Sequence, residues 1–152
     1  MTRYILDTGI VVGYLRQSGY AAFIEKEYNP FNAPNIAAIS IVTVGELLSL
    51  AIQFHWGELK ITRLRELLSH IPQIDIKSDA ILEMYAQIDA FSQGKNLAKP
   101  LSQSARNMGE NDVWIASTAS VLNATLITTD KDFNHLDVVF LPVIYIDQSL
   151  KS

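Results

Sequence analysis

At 152 residues with 49% hydrophobic side chains, the chain has enough apolar surface for one substantial core, and a single domain over 1–152 is expected. The 16 acids against 12 bases give a net charge of −4, which excludes a bulk polycation that wraps duplex DNA; zero cysteines exclude a disulfide scaffold, a thiolate zinc site and a thiol nucleophile. No apolar run approaches the ~20 residues of a membrane span and the N-terminus lacks a signal-peptide pattern, so a cytoplasmic protein without membrane association is expected.

Tyr4-Ile5-Leu6 is a short apolar β-type run ending at Asp7, with Thr8-Gly9 as a turn and Ile10 to Leu15 as the first turns of a helix. Ala21 to Tyr28 has helical spacing, broken by Asn29-Pro30, and the loop Phe31 to Asn35 leads to a second buried strand from Ala37 to Ile41. Thr43-Val44-Gly45-Glu46 has capping-box spacing and opens a helix carrying Leu47, Leu48, Leu50, Ala51 and Phe54. Helical spacing resumes from Leu59 to Leu68 and stops before Pro72. Ile74 and Ile76 alternate with polar neighbours, which suits a short edge strand. Ser78 or Asp79 then caps a helix bearing Ile81, Leu82, Tyr85, Ile88 and Phe91, whereas 92–109 is polar and has no apolar period. A helix from Asn111 to Leu122, a strand at Thr125-Leu126-Ile127-Thr128 and one or two closing strands between Val138 and Ile146 complete the pattern. Strands alternating with helices predict an α/β domain around a parallel sheet.

In open parallel sheets ligands bind beyond the carboxyl ends of the strands. Asp7 ends the first strand, Glu46 lies one short turn beyond the second, and Asp130 lies just past Leu126-Ile127. Asp112 begins the helix that leads into that strand and is expected to reach the same edge. Four carboxylates from distant segments are therefore expected in one cleft, where like charges raise one another's pKa unless a cation neutralises them. Hard oxygen ligands suit Mg²⁺ or Mn²⁺, and metal-assisted phosphodiester hydrolysis is the natural chemistry. Each acid also has a plain structural explanation. Asp7, and Asn111 or Asp112, fit helix caps; Glu46 fits the capping box with Thr43; Asp130 and Asp132 fit a Thr-Asp-Lys-Asp turn. Capping does not explain why all four fall at one end of the sheet.

Tyr-Ile-Leu-Asp-Thr-Gly at 4–9, Ser-Ile-Val-Thr-Val-Gly-Glu-Leu at 40–47, Asn-Asp-Val-Trp-Ile-Ala at 111–116 and Leu-Ile-Thr-Thr-Asp-Lys-Asp-Phe at 126–133 resemble the acidic motifs of PIN-domain nucleases, and within them the VapC-type toxin ribonucleases. The resemblance implies a three-layer α/β/α sandwich with a central, mainly parallel sheet and Mg²⁺- or Mn²⁺-dependent cleavage of RNA. It also implies homodimerisation and inhibition by a small antitoxin protein. Asp7, Glu46, Asp112 and Asp130 match the acidic quartet, with Asp7 and Asp112 as direct metal ligands and Glu46 and Asp130 completing the site. Thr8 and Thr128 match small hydroxyl residues beside it, and Asn111 either joins them or caps its helix. Three departures stand out: Gly9 follows the first motif, the segments 20–35 and 92–109 are long, and Asp132 is an alternative fourth acid.

Asp7-Thr8-Gly9 after an apolar strand is also the signature of aspartic proteases, but that fold is nearly all β and the helical patterns here conflict with it. A receiver-like or phosphatase site needs a lysine beyond a later strand, and none is well placed. The remaining alternative is a non-catalytic PIN-like module that binds RNA or protein. His55, His70 and His135 lack metal-ligand spacing and read as surface or partly buried imidazoles. Lys95, Lys99 and Arg106 form a local positive excess, either a solvated loop or a strip that meets RNA phosphates. Trp114 and Phe133, beside the acidic motifs, read as core.

Overall fold

Five strands lie side by side in the order β3-β2-β1-β4-β5, every neighbouring pair parallel. The computed structural model describes residues 1–152, with β1 at Arg3–Leu6, β2 at Ile36–Ser40, β3 at Gln73–Ile74, β4 at Thr125–Thr128 and β5 at Val143–Tyr145. Side chains alternate across a strand, so each central strand feeds two cores. Tyr4 and Leu6, Ala37 and Ile39, and Ile127 face one layer; Ile5, Ala38 and Leu126 face the other. The first layer is built by α1 (Thr8–Leu15), α2 (Gly19–Glu27), α3 (Ile41–Gln53) and α4 (Glu58–Ser69), and the second by α5 (Asp79–Ser92) and α6 (Glu110–Val121). The parallel-sheet α/β domain expected from the strand–helix alternation is present, as is the α/β/α sandwich that the resemblance implies, and an all-β protease fold is excluded. No helix is long and apolar enough to cross a membrane.

Side-chain caps set several boundaries. Asp7, Ser18, Ser40 and Ser78 each accept a backbone N–H at the start of α1, α2, α3 and α5. Thr8 and Gly9 are consequently helical, not a separate turn. The second strand stops at Ser40 because that residue caps α3, and Ile41 is the helix's first residue. Thr43 therefore lies within α3 and Glu46 in its second turn, so the capping-box pairing is corrected. Gly109 occupies the cap position of α6, and neither Asn111 nor Asp112 caps it. Gln73–Ile74 is an edge strand, as its alternation suggests, and shorter than the Ile74–Ile76 pattern. Only Val143–Tyr145 forms a strand after β4; Lys131–Leu136 is a 3₁₀ turn capped by Asp130, and Asp137 and Leu141 make an isolated bridge.

Candidate active site

The central place of β1 puts its end between β2 and β4, and the chain crosses that edge at Asp7. Its backbone N–H still donates to the Ile127 carbonyl at 3.0 Å, so the residue is fixed by the sheet before its side chain makes any bond. Asp7 Oδ1 accepts the Thr8 N–H at 2.8 Å and Oδ2 accepts the Thr128 hydroxyl at 2.7 Å. Thr128 Oγ1 in turn accepts the Asp130 N–H at 2.9 Å, and Asp130 Oδ1 accepts the Asp132 N–H at 2.8 Å. One hydrogen-bonded chain therefore links the ends of β1 and β4. On the opposite flank the Thr8 hydroxyl donates to Glu46 Oε1 at 2.8 Å and lies 3.2 Å from the hydroxyl of buried Thr43. Helix α6 supplies Asp112 from its first turn.

The electrostatics follow from burial and crowding. Burial pushes the Asp7 carboxyl up to about 6, against the lowering effect of its Thr128 and Thr8 hydrogen bonds, with further repulsion from Glu46 and Asp130. Asp112 is pushed up to about 7, first by burial and then by Asp7, Asp130, Glu46 and Asp132. It is less buried than Asp7 yet shifts further, because no hydrogen bond offsets the repulsion. Every charged neighbour acting on it is an acid. A set of hard oxygen donors with no counter-charge of its own fits a divalent cation. The carboxylates share one field, although no three acidic or imidazole side chains close to coordinating distance. The bonds to Thr8, Thr128 and the Asp132 N–H hold three of them on their own supports.

Two adjoining clefts open beside this edge. One of about 430 Å³ is lined by Thr8, Glu46, Asn111 and the side of α3 from Val42 to Gln53. The other, about 380 Å³, is lined by Glu46, Gly109, Glu110, Asn111 and Asp112. Asn111, which is exposed, and Glu46, which is half-buried, belong to both. Asp132 is more exposed than Asp130. Lys95, Lys99 and Arg106 are exposed and line neither cleft; the Lys99 ammonium sits 5.1 Å from the Phe140 ring centre and Arg106 donates to Gln103 Oε1 at 3.0 Å. Phe133 is fully buried, as expected, while Trp114 is half-buried against Tyr85, ring centres 4.2 Å apart. His55 and His70 are exposed, but His135 is only 6% exposed, more deeply buried than its sequence context suggests. Thr43 is the site neighbour that sequence reasoning misassigned: its spacing to Glu46 mimics a cap, and only the start of α3 at Ser40 reveals it as a buried hydroxyl.

The chain matches the PIN domain family over residues 4–139. Its fold is similar to that of VapBC2 from Rickettsia felis bound to a promoter DNA fragment, at 26% identity and TM-score 0.74, covering 96% of this chain and 100% of that one. DNA-bound VapBC from Salmonella typhimurium is similar at 17% identity and TM-score 0.70, covering 95% and 98%. VapBC-1 from nontypeable Haemophilus influenzae is similar at 24% identity and TM-score 0.67, also covering 95% and 98%. No curated protein matches the chain significantly.

Proposed function

The chain belongs to the PIN domain family, and on that footing we propose that it is a divalent-metal-dependent endoribonuclease, the toxin half of a type II toxin–antitoxin pair. The observation that carries this reading is the gathering of Asp7, Glu46, Asp112 and Asp130 around one edge, where burial and then neighbouring acids, with no base among them, raise Asp112. Asp7 and Asp112 would hold Mg²⁺ or Mn²⁺ directly, with Glu46 and Asp130 completing the set. Asp130 is preferred to Asp132 because its backbone is tied through Thr128 to Asp7, whereas Asp132 is more exposed. When bound, the ion supplies positive charge that activates water and steadies the leaving oxygen of a phosphodiester.

The chain's own groups prepare that site. Thr128 and the Thr8 N–H fix both oxygens of Asp7, and the Thr8 hydroxyl fixes Glu46, so the carboxylates are oriented before any ligand arrives. Asn111, which lines both clefts, would donate to a phosphate oxygen. With its carboxyl raised to about 7, Asp112 holds a proton near neutral pH, and a bound cation would displace that proton. Lys95, Lys99 and Arg106 would meet RNA phosphates outside the clefts. A small antitoxin and a second copy of the chain are the proposed protein partners; the antitoxin is supported by similarity to VapBC assemblies.

Purified protein incubated with a mixed structured-RNA pool is expected to cleave it in Mg²⁺ or Mn²⁺, and not in EDTA or as Asp112→Asn. Absence of cleavage together with absence of metal binding would instead favour a non-catalytic binding module.

A further inference from the structure

A buried polar cluster sets the end of α5 against the 3₁₀ turn that Asp130 caps and against the residue just before the cap of α6. Ser92, the last residue of α5, is 1% exposed, and its hydroxyl lies 2.7 Å from Nε2 of His135 in the 3₁₀ turn. The same hydroxyl lies 3.2 Å from Met108 Sδ, towards which it donates. The Ser92 carbonyl also accepts the Arg106 N–H at 2.6 Å. Met108 immediately precedes Gly109, the cap position of the helix that carries Asp112. His135 lies in the turn that Asp130 caps and that also carries Asp132. One side chain thus touches both supports of the acid cluster.

Packing alone does not account for this choice of residues. The imidazole lies parallel to Phe91 with ring centres 6.1 Å apart, and Phe91 meets Phe140 edge-on at 5.1 Å. Apolar side chains would fill such a pocket without leaving a polar atom unmet. His135 Nδ1 is the buried side-chain polar atom with no hydrogen-bond partner, a cost that an apolar residue avoids. What the polar pair adds over an apolar one is direction: a hydrogen bond fixes separation and angle, where apolar contact tolerates sliding.

We propose that Ser92 and His135 are positioning residues for the metal centre: the Ser92 hydroxyl, held between His135 of the turn that Asp130 caps and Met108 just before α6, sets the spacing between that turn and the start of the helix that carries Asp112. This rests on the reading that those acids hold a divalent ion. Mn²⁺ binding by calorimetry tests it directly, with circular dichroism to establish that each variant is folded. Ser92→Ala is expected to raise the Kd for Mn²⁺ about tenfold, while Ser92→Thr, which keeps the hydroxyl, stays within about twofold of the parent. His135→Gln, which can reproduce the Nε2 contact, should bind Mn²⁺ more tightly than His135→Leu, and this pair carries the test if Ser92→Ala does not fold. Equal Mn²⁺ affinity across folded variants, with the parent binding normally, would overturn the positioning role alone. Failure of the parent chain to bind Mn²⁺ would overturn both this role and the metal-site reading beneath it.

Discussion

Asp7 and Asp112 show how residue-level electrostatics become measurable. Both carboxyls bind protons more tightly folded than unfolded, so the stability they contribute is fully present below about pH 4 and lost as pH rises through about 6 and 7. Thermal melts of metal-free protein are expected to show a lower midpoint at pH 8 than at pH 5, a difference that Mn²⁺ shrinks. Asp112→Asn should shrink it as well, since the amide removes one member of the repelling set without opening a cavity; an unchanged pH dependence would contradict the crowding. Gly9 is a second residue-scale case. A Cβ there would lie 2.6 Å from Thr129 Oγ1, and Thr129 adjoins Asp130. The glycine that departs from the motif thus permits α1 to approach the end of β4. Gly9→Ala is expected to turn the Thr129 hydroxyl into another rotamer beside Asp130 and to slow RNA cleavage by up to about tenfold, with melting little changed.

The elements were legible where a hydrophobic period or a proline marked them, and less so where a cap decided the boundary. The strand at Tyr4-Ile5-Leu6, the helix before Pro72 and the strand at Thr125–Thr128 follow from pattern. The start of α3 does not, because Ser40 and Thr43 are both competent cap residues and the choice depends on where β2 leaves the sheet. That choice matters to the site: it moves Glu46 from a cap partner to an acid held by Thr8. The four acids were legible because strand ends and helix starts of a parallel sheet share an edge. Thr43, Ser92 and His135 were not, since their burial comes from partners far along the chain. Within the first layer, Gly13 faces Tyr20 of α2, whose hydroxyl donates to the Gly9 carbonyl at 3.0 Å, and a Cβ at Gly13 would clash with the edge of the tyrosine ring. Gly13→Ala is expected to destabilise the fold by about 1–3 kcal/mol in chemical denaturation.

Across the whole molecule, a net charge of −4 and an acid-lined edge oppose a polyanionic substrate, so RNA binding needs positive charge placed away from that edge. Lys95, Lys99 and Arg106 lie outside the clefts on the segment between α5 and α6, anchored by the Arg106 N–H to Ser92. Replacing all three with Gln should weaken binding of RNA by Asp7→Asn protein, in which cleavage is expected to be silenced, and flatten its salt dependence by roughly two to three units of slope. An unchanged slope would return the segment to a solvated loop. The central claim is that carboxylates from separate segments form one divalent-metal site. Calorimetric titration of Mn²⁺ into parent, Asp7→Asn and Asp112→Asn proteins tests it most directly. Binding in the parent and its loss in both folded variants is expected; parent-like binding by either variant would contradict the account.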